Sequence, residues 1–250
     1  MNIDAFTVLT LALDIIALLI SITLHEVSHG YASYRFGDNT AKAYGRLSLN
    51  PFAHINPAGF ALLVVIMFMG TLSGGSSSGF VMSMLSVMVC FSFAKPVPVG
   101  GQGLKNPIRD MAVIAAAGPI TNLIVAFISL IAYKYSLLWV ASMYFDAYGT
   151  YFYNIAGMLT SFFAYLAQLN IGLAVFNLVP IPPLDGSKIL YAFLPKKILF
   201  FVVKYERYIT MALFVLLVLN VLDYPINMAG NFIIDKMLWV VDLLPPRAVI

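Results

Sequence analysis

Leu18-Leu19-Ile20-Ser21-Ile22-Thr23-Leu24-His25-Glu26-Val27-Ser28-His29 joins an apolar run to a pair of histidines, and its reading decides the fold. Behind it, residues 5–24 are apolar except for Thr7, Thr10, Asp14, Ser21 and Thr23. That length matches the ~20 residues with which a helix crosses about 30 Å of hydrocarbon. If the helix runs on, His25 and His29 project from one face, one turn apart. Both imidazoles can then reach one Zn²⁺, with Glu26 beside it as general base. The HExxH pattern alone turns up by chance in soluble helices. At the end of a membrane span, two histidines and a glutamate are expensive and mark function. The bland alternative is a helix end whose polar residues have merely reached the interface.

Composition agrees with the span. Of 250 residues, 61% are hydrophobic and only 10% charged, against about 25% charged in soluble domains. The chain therefore reads as an all-α polytopic membrane protein. Its net charge of +3 is small, and the basic residues do not interleave with aromatics in one patch, so nucleic acid is not suggested. The single cysteine, Cys90, sits in an apolar segment and reads as a buried, inert thiol. The first four residues carry no positive charge, and no small-residue cleavage site precedes His25. The first span is expected to be retained rather than removed as a signal peptide.

About six membrane segments are expected along the chain. After the first, residues 40–57 are polar and irregular, and residues 44–49 alternate as a short strand would. Residues 59–70 and 80–94 are each short for a full span. Joined by a Ser/Gly linker at 73–79, they read as a re-entrant hairpin or as two tilted spans. Lys95-Pro96-Val97-Pro98-Val99-Gly100 is not helical. Further spans are expected at 111–133 and 155–179, and C-terminal membrane helices within 205–244. Residues 134–154 read as a polar, aromatic stretch outside the membrane.

The basic residues orient the chain. Arg35, Lys42, Arg46, Lys95, Lys105 and Arg109 form one group, and Lys188, Lys196, Lys197, Lys204 and Arg207 another. Both fall on one side if 59–94 returns to the side it left. That side is then the cytoplasm, with the N-terminus outside and the histidines near the cytoplasmic face.

A catalytic zinc needs a third protein ligand. His54 is the only other histidine and Glu206 the only other glutamate. The metzincin spacing would place a histidine at 35, where this chain has Arg35. Asp185 follows an apolar span and a proline-broken turn, and Gly186 beside it permits close backbone approach. Spacing leaves two readings open for Asp185, a metal ligand or the N-cap of the helix that follows.

The chain resembles the site-2 proteases, zinc intramembrane proteases. The resemblance is carried by the HEVSH motif, by Leu47-Ser48-Leu49-Asn50-Pro51, and by His54-Ile55-Asn56-Pro57. It continues through Ala94-Lys95-Pro96-Val97-Pro98-Val99, Asn106-Pro107, Arg109-Asp110-Met111, and Gly118-Pro119 with Asn122. It ends with Asn177-Leu178-Val179-Pro180 and Pro183-Leu184-Asp185-Gly186. It implies one Zn²⁺ per chain held by His25, His29 and Asp185, with Glu26 and Asn177 catalytic. Asn177 would polarise the scissile carbonyl or hold the oxyanion. Asn122 and His54 would lie toward substrate, although His54 also reads as a satisfied loop histidine.

The resemblance also implies a single metalloprotease domain over 1–250, with its catalytic core at about 5–195, in a prokaryotic cell membrane. Its substrates would be single-pass membrane proteins or signal-peptide remnants, caught as an unwound strand by residues 44–49 and 95–100, unless those are only loops. The departures are a long 59–94 region, and no room for a PDZ-type insertion between Lys134 and Asn154. The rival is a transporter or channel whose histidines, glutamate and aspartate line an ion path.

Overall fold

The computed structural model describes residues 5–54, 56–72, 103–143 and 150–245. These residues form α1 (Ala5–Arg35), a one-turn α2 (Thr40–Ala43), a 3-10 turn (Pro51–Ala53), α3 (Pro57–Leu72), α4 (Pro107–Met143), α5 (Thr150–Leu178), α6 (Asp185–Tyr191), α7 (Lys196–Val218) and α8 (Asp223–Asp242). Among the described residues, three helices are long and apolar enough to cross a membrane: Thr7–Arg35, Pro107–Ser142 and Ile155–Leu178. The Ser/Gly linker, residues 80–94 and residues 95–100 lie outside the described residues.

The core is a three-helix packing of α1, α4 and α5, with α6 closing one end and α8 laid against α5. Each core helix turns a stripe with a four-residue repeat inward. On α1 the stripe is Ala17, Ser21, His25, His29 and Ser33; on α4 it is Asp110, Ile114, Gly118, Asn122, Ala126 and Leu130. Such i, i+4 rows are the ridges by which helices interlock. Small residues at the contacts let the backbones approach, as helices in lipid do. The outward face of α4 carries Val113, Ile120, Ile124 and Ile128, all about half exposed or more. Three asparagines, three histidines, Glu26 and Asp185 are among the buried residues. Polar residues inside and large aliphatic residues outside invert the soluble pattern and suit a hydrocarbon solvent.

Polar bonds between helices fix the register. Asn170 on α5 donates to Ser21 Oγ at 2.8 Å, and Ser21 donates to its own helix at Ala17 O, 2.7 Å. This tie sits one turn before His25. At the other end of α1, Ser33 donates to Asp38 at 3.0 Å and so fastens the turn that follows the helix.

Two expectations are corrected. Residues 44–49 are not a strand. The chain leaves α2 through Gly45, at φ +66, with Gly45 N–H bonded to Lys42 O and Arg46 N–H to Ala41 O. These are the two bonds of a Schellman cap, which a left-handed glycine makes possible. Backbone donors spent on closing a helix are not offered to a strand partner, and no strand occurs among the described residues.

The second concerns residues 134–143, which continue α4 rather than leave it. No glycine or proline falls between Ile120 and Met143 to stop the helix. The buried Lys134 is accommodated by a structural partner. Its ammonium donates to the carbonyls of Val241 and Leu244, at 2.9 and 2.8 Å, and caps the C-terminal end of α8. Replacing it by Lys134→Met leaves Val241 O with only the Leu244 N–H and takes the ammonium from Leu244 O. The expected result is a loss of about 1–3 kcal/mol of stability, read as a lower thermal midpoint in detergent with zinc content unchanged.

Candidate metal centre

His25 and His29 lie where α1 crosses the N-terminal half of α4, and both are buried. Asp185 arrives from a separate element, 156 residues after His29. The path to it is set by Pro180, Pro182 and Pro183, which end α5 and hold the chain in a turn until α6 begins. At Gly186 the chain comes so near the end of α5 that an added Cβ would lie 2.4 Å from Leu178 O. Only glycine permits that approach, and it drives Asp185 inward. The N-cap of α6 is Leu184, not Asp185, and no side chain caps the helix. Asp185 is its first residue, and its carboxylate goes to the histidines.

The three donor atoms form a nearly equilateral triangle. His25 Nε2 and His29 Nε2 are 3.1 Å apart, and Asp185 Oδ2 lies 3.2 Å from the first and 3.0 Å from the second. In a tetrahedral site with bonds of about 2.0 Å, neighbouring ligand atoms lie roughly 3.3 Å apart. The observed edges fall within a few tenths of an ångström of that value. Two imidazole nitrogens and one carboxylate oxygen are also the donor types zinc takes. His29 Nδ1 bonds to the carbonyl of Ile114 at 2.7 Å, which places the ring proton on Nδ1 and leaves Nε2 free to ligate. The residues fit a zinc ion.

Burial pushes the Asp185 carboxyl up, but when His25 and His29 are protonated their hydrogen bonds and charge outweigh it, in the place a metal ion would take. The group is held well below the usual carboxylate range, in the ionised form a ligand requires. Its other oxygen, Oδ1, faces Lys188 Nζ at 3.6 Å. That lysine is half exposed, and such a pair contributes little.

The remaining site residues stand as follows. Glu26 is buried next to His25 on α1. Asn177 is buried near the end of α5 and donates one amide hydrogen to Leu173 O at 3.0 Å, with a second left on the same nitrogen. His54 is wholly buried in the loop before α3, with Nε2 against Ser48 O at 2.7 Å. Asn122 is wholly buried behind His25.

The sequence assigns no site role to two contributors. One is the Ile114 carbonyl, for which a backbone atom leaves no residue-type signal. The other is Gly118, where a Cβ would stand 2.5 Å from both His25 Cε1 and His29 Nε2. Its four-residue spacing from Ile114 and Asn122 was the available clue.

A buried histidine–histidine–aspartate triangle with an adjacent glutamate, its histidines on a membrane-length helix and its aspartate on the short α6, defines a membrane zinc metalloprotease. Residues 13–219 match the profile of peptidase family M50, and the chain belongs to that family. It is 35% identical over 185 residues to "Putative zinc metalloprotease YwhC" of Bacillus subtilis, covering 72% of this chain and 68% of that one. It is 28% identical over 169 residues to "Putative zinc metalloprotease Rip2" of Mycolicibacterium smegmatis, and 27% identical over 178 residues to its namesake in Mycobacterium tuberculosis. Those matches cover 67% of this chain and 52% of each relative. No solved structure is significantly similar. Family membership sets the transporter reading aside.

Gly118→Ala gives a sharp test of the cradle. Alanine favours the helix by about 1 kcal/mol over glycine, yet its methyl group needs the space the two imidazoles occupy. The expected outcome is a protein no less helical by circular dichroism whose zinc affinity falls by roughly 10-fold or more.

Proposed function

We propose that His25, His29 and Asp185 are the zinc ligands and Glu26 the general base of a protease that cleaves membrane-anchored substrates in or near their transmembrane segment. The observation that carries this reading is the donor triangle, with edges of 3.0–3.2 Å drawn from two helices far apart in the chain.

When bound, zinc would acidify a water molecule and act as a Lewis acid toward the peptide carbonyl. The remaining steps belong to the side chains. Glu26, buried and one residue from His25, takes the proton of the attacking water and passes it to the leaving amine. Asn177 offers its second amide hydrogen to the oxyanion that develops on the carbonyl. The two histidines and Asp185 keep the reacting centre in place, and the apolar walls of α1, α4 and α5 restrict water. A substrate helix hides its carbonyls in internal hydrogen bonds, so it must unwind locally before attack. Single-pass membrane proteins and signal-peptide remnants are substrates of this kind. His54, held against Ser48 O in the loop before α3, is a candidate substrate contact by family resemblance alone.

The finer topology is part of the same proposal. About six membrane segments carry the domain, with the N-terminus outside and the centre near the cytoplasmic face. Support comes from the basic residues Arg35, Lys42, Arg46, Lys105 and Arg109 after α1, together with Lys188, Lys196, Lys197, Lys204 and Arg207 after α5. Because Cys90 is the single cysteine, a Cys90→Ser background makes the test simple. Cysteines introduced at exposed Leu49 and Phe193 should react with an impermeant thiol reagent only after the cytoplasmic side is opened.

The chemistry separates in two variants. Glu26→Gln should lower cleavage of a co-expressed signal-peptide remnant by about 10²–10⁴-fold while zinc content stays near that of wild type. Asp185→Ala should lose both. Zinc untouched by Asp185→Ala would overturn the ligand set.

A further inference from the structure

We propose that Asn122 is the positioning residue for His25: its side-chain carbonyl receives the Nδ1 proton of His25 and so frees Nε2 to hold the metal. The inference rests on the ligand assignment above and concerns what holds that ligand in the required form.

A neutral imidazole carries one proton. A histidine that ligates through Nε2 must keep that proton on Nδ1 and give it to an acceptor. For His29 the acceptor is the Ile114 carbonyl, at 2.7 Å. His25 meets the same helix eight positions further on, at Asn122, on the same inward stripe. The terminal nitrogen of the Asn122 amide lies 3.3 Å from His25 Nδ1.

The other end of that amide, Oδ1, is fully buried and has no hydrogen-bond partner. With the nitrogen turned to His25, an N–H would donate to an unprotonated Nδ1. The ring proton would then sit on Nε2, the atom aimed at His29 and Asp185, and the amide carbonyl would be left buried and unpaired. Turning the amide by 180° exchanges its oxygen and nitrogen and moves nothing else. The carbonyl then meets Nδ1–H, and the Nε2 lone pair points into the donor triangle. One rotation frees the ligand atom and pairs the carbonyl, and the amide nitrogen takes the place the carbonyl held.

An amide suits this place better than a carboxylate for a physical reason. Both accept the Nδ1 proton, but a carboxylate would add a third acidic group to a buried site that already holds Asp185 and Glu26. An apolar residue of the same size would fill the space and offer no acceptor.

The experiment uses the full-length protein in detergent. Zinc affinity is measured by competition with a chromophoric chelator for wild type, Asn122→Asp, Asn122→Leu and His25→Ala. The apoprotein thermal midpoint and circular dichroism of each report on folding. Asn122→Leu is expected to bind zinc about 10–100-fold more weakly than wild type while remaining folded. Asn122→Asp, which can accept but not donate, should stay within a few-fold of wild type.

A merely structural asparagine would not be rescued by aspartate in zinc affinity. Asn122→Leu binding zinc as wild type does, or Asn122→Asp losing as much as Asn122→Leu, would overturn the proposal. His25→Ala retaining wild-type affinity would instead overturn the ligand assignment beneath it. If Asn122→Leu does not fold, ¹⁵N-histidine NMR of zinc-loaded wild type and Asn122→Asp decides the matter, since the chain has only three histidines. A His25 Nδ1–H signal that moves when the acceptor changes from amide to carboxylate, with the His29 Nδ1–H signal unmoved, supports the proposal, and a His25 signal that does not move overturns it.

Discussion

Three electron-pair donors aimed at one point inside an apolar layer form an arrangement that no bundle adopts cheaply. Two imidazole nitrogens 3.1 Å apart face each other and a carboxylate faces both, an arrangement that needs a metal ion or imidazole protons between them. In hydrocarbon there is no water to relieve this. The surrounding helices are arranged around that triangle. α1 supplies two corners from one face, α6 supplies the third, and α4 supplies the wall on which the rings rest. The centre is built by convergence of elements, not by a local motif.

Two glycines define how closely those elements come together. Gly118 gives up a side chain so that the imidazoles can lie against α4, and Gly186 does so that α6 can start against the end of α5. In a membrane, where apolar side chains gain little by hiding from lipid, close backbone approach and interhelical hydrogen bonds carry more of the packing. The Asn170–Ser21 bond, one turn from His25, serves the same end. Stability and site geometry therefore draw on the same few contacts along α1. The Lys134 cap, at the far end of α4, lies apart from them.

Much of this was legible in the residues. The apolar run before HEVSH announced a span, and the histidine spacing announced a shared face, because both follow from helix geometry alone. Asp185 was half legible. Its place after a proline turn suggested either a ligand or a cap, and only the chain's path after Gly186 turns the carboxylate to the histidines. The strand expected at residues 44–49 failed because alternation was the only signal read there. Gly45 closes a helix in that stretch, and cap bonds outrank a weak pattern. The length of α4 was underestimated because Lys134 looked like the edge of the membrane, and its partners on α8 lie more than a hundred residues away. What sequence hides here is pairing at a distance.

The distance between His29 and Asp185 has a bearing on how a newly made chain matures. At a synthesis rate of about 5–20 residues per second, the 156 residues between them take roughly 10–30 s to emerge. Throughout that interval the nascent helix carries two histidines and a glutamate but lacks its third corner. On the proposed ligand set, a complete site can form only once the later helices have been made. The order of the chain thus sets an order of assembly, with the histidine pair made first and its carboxylate partner last.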